Sequence, residues 1–168
     1  MGIVVAIIII SLWGSHLTYL LFYTNIDFAN PILYLHILVQ AYLYTGLFIT
    51  AHDAMHGTVA QSKRINRAIG MLATFLFAGM SFNRLIKNHF LHHKYPGEEN
   101  DPDFNVKSQN FFVWWLSFMV RYTTLAQIII MGLLFNVLKI FADEINIWFY
   151  WSEEHTSELQ SLTNLVCR

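Results

Sequence analysis

Two long apolar stretches near the start of the chain constrain its fold more than any other feature. Residues 3–23 and 32–51 are each close to the roughly 20 apolar residues that a helix needs to cross a bilayer. Only a short polar turn, TNIDFANP at 24–31, separates them. Inside lipid every backbone polar group must find a partner within its own segment, so both stretches are predicted as membrane-spanning α-helices.

The composition agrees with a membrane protein. Charged residues are 12% of the 168 residues, against about 25% in soluble domains. A net charge of −1 gives no electrostatic basis for nucleic acid binding. The single cysteine, Cys167, excludes a disulfide framework and a thiolate metal site.

The rest of the chain contains shorter apolar stretches. Residues 67–82 are apolar for only about four turns, which predicts a buried or interfacial helix. Residues 111–141 predict an aromatic-rich interfacial helix followed by a further span from about Thr123, and 145–151 begin a span that stops early. The predicted fold class is therefore an all-α integral membrane protein with two spans, a histidine-rich region, a further span and a truncated one.

The positions of lysine and arginine predict the orientation. Seven of the ten lie between residues 52 and 110, while the turns at 24–31 and 142–146 contain only acidic charges. By the positive-inside rule, the 52–110 region and the N-terminus are cytoplasmic, and the two acidic turns face outward.

Residues 152–168 differ abruptly from the rest of the chain. Hydrophobicity falls where a fourth span should gain length, and the string SEEHTSELQSLTNLVCR resembles the translation of a sequencing-library adapter. We therefore expect residues 1–151 to form a partial membrane domain and residues 152–168 to be a non-native tail.

Five of the eight histidines form two clusters in the central region. HDAMHG places His52 and His56 four residues apart, and HFLHH places His89, His92 and His93 at positions i, i+3 and i+4. On a helix such positions share one face, so neighbouring imidazoles can reach one metal or two adjacent metals. Imidazole suits iron, zinc, copper and nickel, and the clusters predict a metal site.

The carboxylates near these clusters have two interpretations each. Asp53 stands where a zincin helix would carry a glutamate base, and it either orients an imidazole or faces water. Asp101 and Asp103 either accept hydrogen bonds from the N–H groups of ligand histidines or form a solvated acidic turn opened by Pro96 and Gly97.

Structural roles are predicted for the other conspicuous residues. His16 and His36 stand alone in the two spans and are interpreted as hydrogen-bonded packing residues. Gly57 is predicted to end the helix that carries the first histidine pair. Four aromatic side chains are predicted to form an interfacial belt: Phe111, Phe112, Trp114 and Trp115.

The sequence around the histidines is more specific than their spacing. HxxxH followed by HxxHH between paired spans resembles the membrane-bound fatty acid desaturase/hydroxylase superfamily. GLFITAHDAMHGTV at 46–59, RINRAIG at 64–70 and HHKYPGEENDPDF at 92–104 are similar to the bacterial-type beta-carotene ketolases. The resemblance covers roughly residues 30–151.

This resemblance implies a non-haem diiron (Fe²⁺) oxygenase that uses O₂ as co-substrate. It implies that the ring methylene at carbon 4 of a carotenoid is hydroxylated twice and loses water to give a ketone, converting beta-carotene to echinenone or canthaxanthin. It places the enzyme in the bacterial cytoplasmic membrane with its histidine boxes on the cytoplasmic side. The iron ligands it implies are His52, His56, His89, His92 and His93.

The resemblance also implies a ferredoxin-type electron donor on the cytoplasmic side. Five basic residues could attract an acidic donor, or they could only set the topology and bind lipid headgroups, which is the interpretation favoured from the sequence. They are Lys63, Arg64, Arg67, Arg84 and Lys87.

The chain departs from the family pattern in one respect. The pattern includes a third, C-terminal histidine box, which this sequence lacks, and His155 in the tail is not counted as a ligand. Five histidines leave two metals short of ligands, so the 168-residue chain alone is expected to show little or no turnover. Two alternatives are a fatty acyl desaturase or hydroxylase of the same superfamily and a non-catalytic membrane metal-binding or structural protein.

Overall fold

The computed structural model describes residues 1–104 and 110–151, and within these ranges it contains α-helices and no β-strand. The helices are α1 (Gly2–Tyr23), α2 (Pro31–Met55), α3 (Lys63–Ala78), α4 (Phe82–Lys94), α5 (Phe111–Tyr122), α6 (Leu125–Leu138) and α7 (Glu144–Trp151). The predicted all-α fold class is confirmed. The tail predicted at 152–168 lies outside the described residues.

Helices α1 and α2 are the two predicted spans. With 22 and 25 residues, both are long and apolar enough to cross a membrane, which confirms the prediction. Asn30 begins α2 by accepting a hydrogen bond from the Ile32 amide at 3.0 Å, and Pro31 takes the first helical position. The helix continues past the predicted end at residue 51 to Met55, so His52 lies in its last turn.

The later apolar regions form bent helix pairs. Helices α3 and α4 meet at 99° and α5 and α6 at 82°, and each pair is long enough to span only when its two helices are taken together. The further span is shorter than predicted, because α6 has only 14 residues, or about 21 Å at 1.5 Å per residue. At the break, Thr123 and Thr124 are extended, and the Thr124 hydroxyl accepts from the Gln127 amide at 3.1 Å to begin α6.

Polar side chains join α1 to α2 within their apolar interface. His16 Nδ1 donates to Gln40 Oε1 at 2.7 Å, and His16 Nε2 lies 3.2 Å from His36 Nδ1. The hydrogen-bonded packing role predicted for both histidines is confirmed, and the structure adds that they contact each other. The surrounding buried core includes Leu17, Leu20, Leu47, Phe77 and Ile147.

Two glycines bring α4 beside the end of α2. A Cβ on Gly70 would overlap the Phe82 ring and lie 2.9 Å from Ala54 Cβ, so α3 packs this closely only because position 70 has no side chain. Gly79, at φ 61°, ends α3 in the left-handed conformation that favours glycine. The chain then turns into α4, which carries the second histidine cluster.

Candidate functional site

The first histidine pair lies where α2 ends. His52 is in the last turn, and His56 follows as the C-cap residue. Gly57, at φ 75°, turns the chain away, which confirms its predicted role. The Thr58 hydroxyl donates to the Asp53 carbonyl at 2.9 Å and holds the turn against the helix.

A buried asparagine of α3 fixes the same segment from the other side. Asn66 Nδ2 donates to the Ala54 carbonyl at 2.6 Å, and its Oδ1 accepts from the Ala60 amide at 3.2 Å. The side chain therefore bridges the residues before and after the His56 turn. Sequence reasoning missed this residue, because the helix was predicted to begin at residue 67, whereas α3 begins at Lys63.

The second histidine pair comes from α4. His89 and His93 are one turn apart on the same face, with His89 half-buried and His93 exposed. Phe82, buried at the start of this helix, packs with Ala54 and Met55 of α2. This packing directs the histidine face of α4 toward the end of α2.

Four of the five predicted ligands converge. The Nε2 atoms of His56 and His89 are 2.8 Å apart, and those of His89 and His93 are 3.1 Å apart. The His52 ring centroid lies 4.8 Å from those of both His56 and His89. Nitrogens that bind one metal at 2.0–2.1 Å and at right angles are roughly 3 Å apart, so the donor set fits one metal ion.

The surroundings of His89 and His56 favour the neutral imidazole. Burial, followed by the neighbouring imidazoles of His52, His93, His56 and His92, lowers the pKa of His89 to about 3. Burial and the charges of His52 and His93 also lower the pKa of His56, against the opposing effect of Asp53. A neutral imidazole has the free lone pair that a metal requires.

His92 lies apart from the four and pairs with a carboxylate. Its Nδ1 donates to the Asp101 carboxylate and lies 2.9 Å from Oδ1 and 3.0 Å from Oδ2. Asp101 is only 2% exposed and also accepts from the amides of Gly97 and Asp103, both at 2.8 Å. A solvated turn therefore does not describe Asp101, and its bond to Nδ1 leaves Nε2 as the free nitrogen of His92.

Helix α5 holds the loop that carries these aspartates. The Tyr122 hydroxyl donates to the Asp103 carboxylate, and Trp114 Nε1 donates to the Asp103 carbonyl at 2.7 Å. Burial raises the pKa of Asp103. Arg121 donates to the Asp101 carbonyl at 3.5 Å. Sequence reasoning missed Arg121 and Tyr122, and it assigned Trp114 only to an interfacial belt.

Asp53 is a weaker partner for a histidine than Asp101. Its side chain is 53% exposed, and its carboxylate lies 3.4 Å from His52 Nδ1. The two interpretations of this residue from the sequence are therefore both compatible with its position, with most of the side chain facing outward.

The chain is similar to a group of carotenoid-oxidising proteins. It is 37% identical over 148 residues to a zeaxanthin 4-ketolase of Chlamydomonas reinhardtii, a match that covers 82% of this chain and 33% of that protein. It is 34% identical over 143 residues to a beta-carotene 4-ketolase of Protosiphon botryoides, with 75% and 37% covered. It is 48% identical over 82 residues to a beta-carotene ketolase of Paracoccus sp. (strain PC1), with 48% and 33% covered.

The chain spans about a third of the length of these curated relatives. No solved structure matches it. The fatty acid desaturase family model matches residues 29–156, which include the second span, α2, and all five clustered histidines. The chain belongs to the fatty acid desaturase family.

Proposed function

We propose that this chain provides the first two histidine clusters of an oxidoreductase that converts the ring methylene at carbon 4 of a carotenoid to a ketone. The convergence of four imidazoles at the end of a membrane-spanning helix carries this proposal. The similarity to zeaxanthin and beta-carotene ketolases supports the substrate class, because the matches include both histidine clusters.

The proposed metal is iron, in a diiron centre. His52, His56, His89 and His93 would hold one ion, and His92, with Nδ1 occupied by Asp101, would offer Nε2 to the second. Imidazole ligands suit iron, and the second ion would need further ligands beyond His92. Bound iron would supply the activation of O₂ that oxidation of an unactivated C–H bond requires and that no side chain provides.

Residues of this chain would hold the metal ions and orient the ligand side chains around them. His56 and His89 would present lone pairs, because burial and the neighbouring imidazoles disfavour their protonation. The Asp101 carboxylate holds the Nδ1 proton of His92 and fixes the ring's orientation. Asn66 and Gly70 keep α2, α3 and α4 in register, so that the two clusters face each other.

The location of the clusters suits an oily substrate and a water-soluble reductant. Because α2 spans the membrane and ends at the histidines, a carotenoid can approach from the lipid while a ferredoxin-type donor delivers electrons from the aqueous side. The excess of basic residues between 52 and 110 supports the cytoplasmic side. We propose the bacterial cytoplasmic membrane as the location of the protein.

The test uses the complete reading frame that contains this chain, expressed in a carotene-producing bacterial host. We expect a ketocarotenoid with red-shifted absorption, and we expect His89→Ala and His92→Ala each to lower its yield by roughly 100-fold or more along with the iron content. An altered acyl chain without ketocarotenoid would favour a fatty acyl desaturase. Full activity and iron content in both variants would leave a non-catalytic or structural role for the histidines.

The 168-residue chain alone provides a second test. With five clustered histidines it leaves a diiron centre short of ligands, so we expect little or no ketocarotenoid in the same host. Turnover comparable to that of the complete reading frame would contradict the proposed ligand requirement.

A further inference from the structure

A cleft beside the candidate metal centre has an apolar floor and a cationic rim. It encloses about 460 Å³ between the end of α2 and the first turns of α3 and α4. Met55 and Phe82 contribute to its floor, while Lys63 and Arg67 lie at its rim. His56 is the one clustered histidine among its lining residues, so the cleft adjoins the metal centre but is separate from it.

The rim has cations without a carboxylate partner. The ion pairs found among the described residues do not include Lys63 or Arg67. Residues 54–97 contain six lysines and arginines and no aspartate or glutamate. Four residues apart on α3, the two cations share a helix face, and Arg67 Nη2 is held by Asn83 Oδ1 at 2.8 Å. An anion is the ligand that this rim can bind.

The position of the cleft identifies the kind of anion. The last residues of the spanning helix α2 line it, so it stands at the level of the membrane–water boundary. Next to the rim, α3 exposes large apolar side chains, including Ile65, Leu72 and Phe75. A helix with basic residues at one end and such an exposed apolar face is typical of the membrane interface.

We propose that this cleft binds one anionic phospholipid. The phosphate lies between Lys63 and Arg67, and the glycerol region packs on the apolar floor at Met55 and Phe82. A free phosphate ester would bind the two cations but would leave the apolar floor uncovered. An acidic partner protein would use the rim, but the exposed apolar face of α3 beside the cleft favours a lipid.

The test measures lipid binding by the purified chain in detergent micelles, with native mass spectrometry as the readout. Phosphatidylglycerol is titrated against phosphatidylcholine. Each cation near an anionic headgroup strengthens binding roughly fivefold. We therefore expect one tightly bound phosphatidylglycerol, and we expect Lys63→Gln/Arg67→Gln to weaken it roughly 25-fold.

A matched control removes the same charge elsewhere. Arg64 and Lys87 are exposed and do not line the cleft, so Arg64→Gln/Lys87→Gln should change the affinity by about twofold or less. Lys63→Arg/Arg67→Lys, which keeps both charges, should retain binding. Circular dichroism verifies that each variant keeps the helix content of the parent.

Three results would overturn the proposal. Equal weakening by the two glutamine pairs would mean a diffuse attraction without a site. Displacement of the lipid by an equal concentration of glycerol 3-phosphate would assign the cleft to a soluble phosphate ester. Equal binding of phosphatidylglycerol and phosphatidylcholine would leave the rim available to an acidic protein.

Discussion

His89 occupies the centre of the candidate site at the scale of single residues. Its Nε2 lies within 3.1 Å of the Nε2 atoms of both His56 and His93. His56 caps the end of α2, and His93 lies one turn along α4. His92, also one turn along α4 from His89, instead donates to Asp101. The two roles within one HxxHH motif follow from which face of the helix meets α2 and which meets the 95–104 loop.

Replacement of Asp101 tests the orienting role proposed for it. Asp101→Asn keeps one acceptor oxygen but removes the charge that holds the Nδ1 proton of His92, so we expect the affinity for the second ion, which His92 would bind, to fall 10–100-fold. Fe²⁺ titration of the purified product of the complete reading frame measures the two binding steps. Asp53→Asn is the matched control, because Asp53 is exposed and its carboxylate lies 3.4 Å from His52 Nδ1, farther than Asp101 lies from His92. Equal losses in the two variants would argue against a special role for Asp101.

Residue spacing predicted that the histidines share helix faces, and the sequence offered Asp101 and Asp103 as acceptors without deciding which histidine they contact. The i, i+3 and i+4 pattern is sufficient to place imidazoles on one helix face. The bond between His92 and Asp101 depends on how the 95–104 loop folds back. The bridge made by Asn66 depends on the contact between α2 and α3. Neither contact leaves a periodic pattern in the sequence.

At the scale of helices, the close approach of α3 to α2 and α4 positions the site. Gly70 allows it, because the Phe82 ring occupies the space of a side chain at position 70. Length and hydropathy predicted α1 and α2 well, since a span requires about 20 apolar residues. The division of residues 111–141 near Thr123 was predicted, and the structure has its break at Thr123 and Thr124. The angle within each bent pair was not predicted, because a bend depends on local caps such as Thr124 and on packing.

Gly70→Ala tests this packing. The added methyl would have to displace Phe82, so we expect a loss of about 1–3 kcal/mol of stability and weaker metal binding as α4 shifts. Thermal unfolding in detergent and Fe²⁺ titration measure the two effects. Gly14→Ala is the control, since a Cβ there meets nothing within 4 Å, and alanine favours a helix over glycine by roughly 0.5–1 kcal/mol. Equal stability of the two variants would contradict the close packing at Gly70.

At the scale of the whole molecule, two spans carry the histidine region to one side of a membrane. The lysine and arginine distribution predicts that this side is cytoplasmic. The packing of α2, α3 and α4 around the site does not follow from the sequence pattern, because several helix arrangements would bury the same apolar faces.

Cysteine labelling tests the orientation. In a Cys167→Ser background, we expect Asp27→Cys to react with a membrane-impermeant maleimide in spheroplasts and Gln61→Cys to react only after lysis. Both positions are exposed, so access to the reagent depends on the side of the membrane. The reverse labelling pattern would place the histidine clusters on the outer side.

The most direct test of the central claim is the iron bound by the purified 168-residue chain, measured by metal analysis and iron K-edge X-ray absorption. With four converging imidazoles, we predict close to one Fe²⁺ per chain in a nitrogen-rich shell at about 2.0–2.2 Å. His89→Ala should abolish this binding, and His155→Ala, outside the clusters, should retain it. Iron that is absent from the parent chain, or that is bound equally by His89→Ala, would contradict the account.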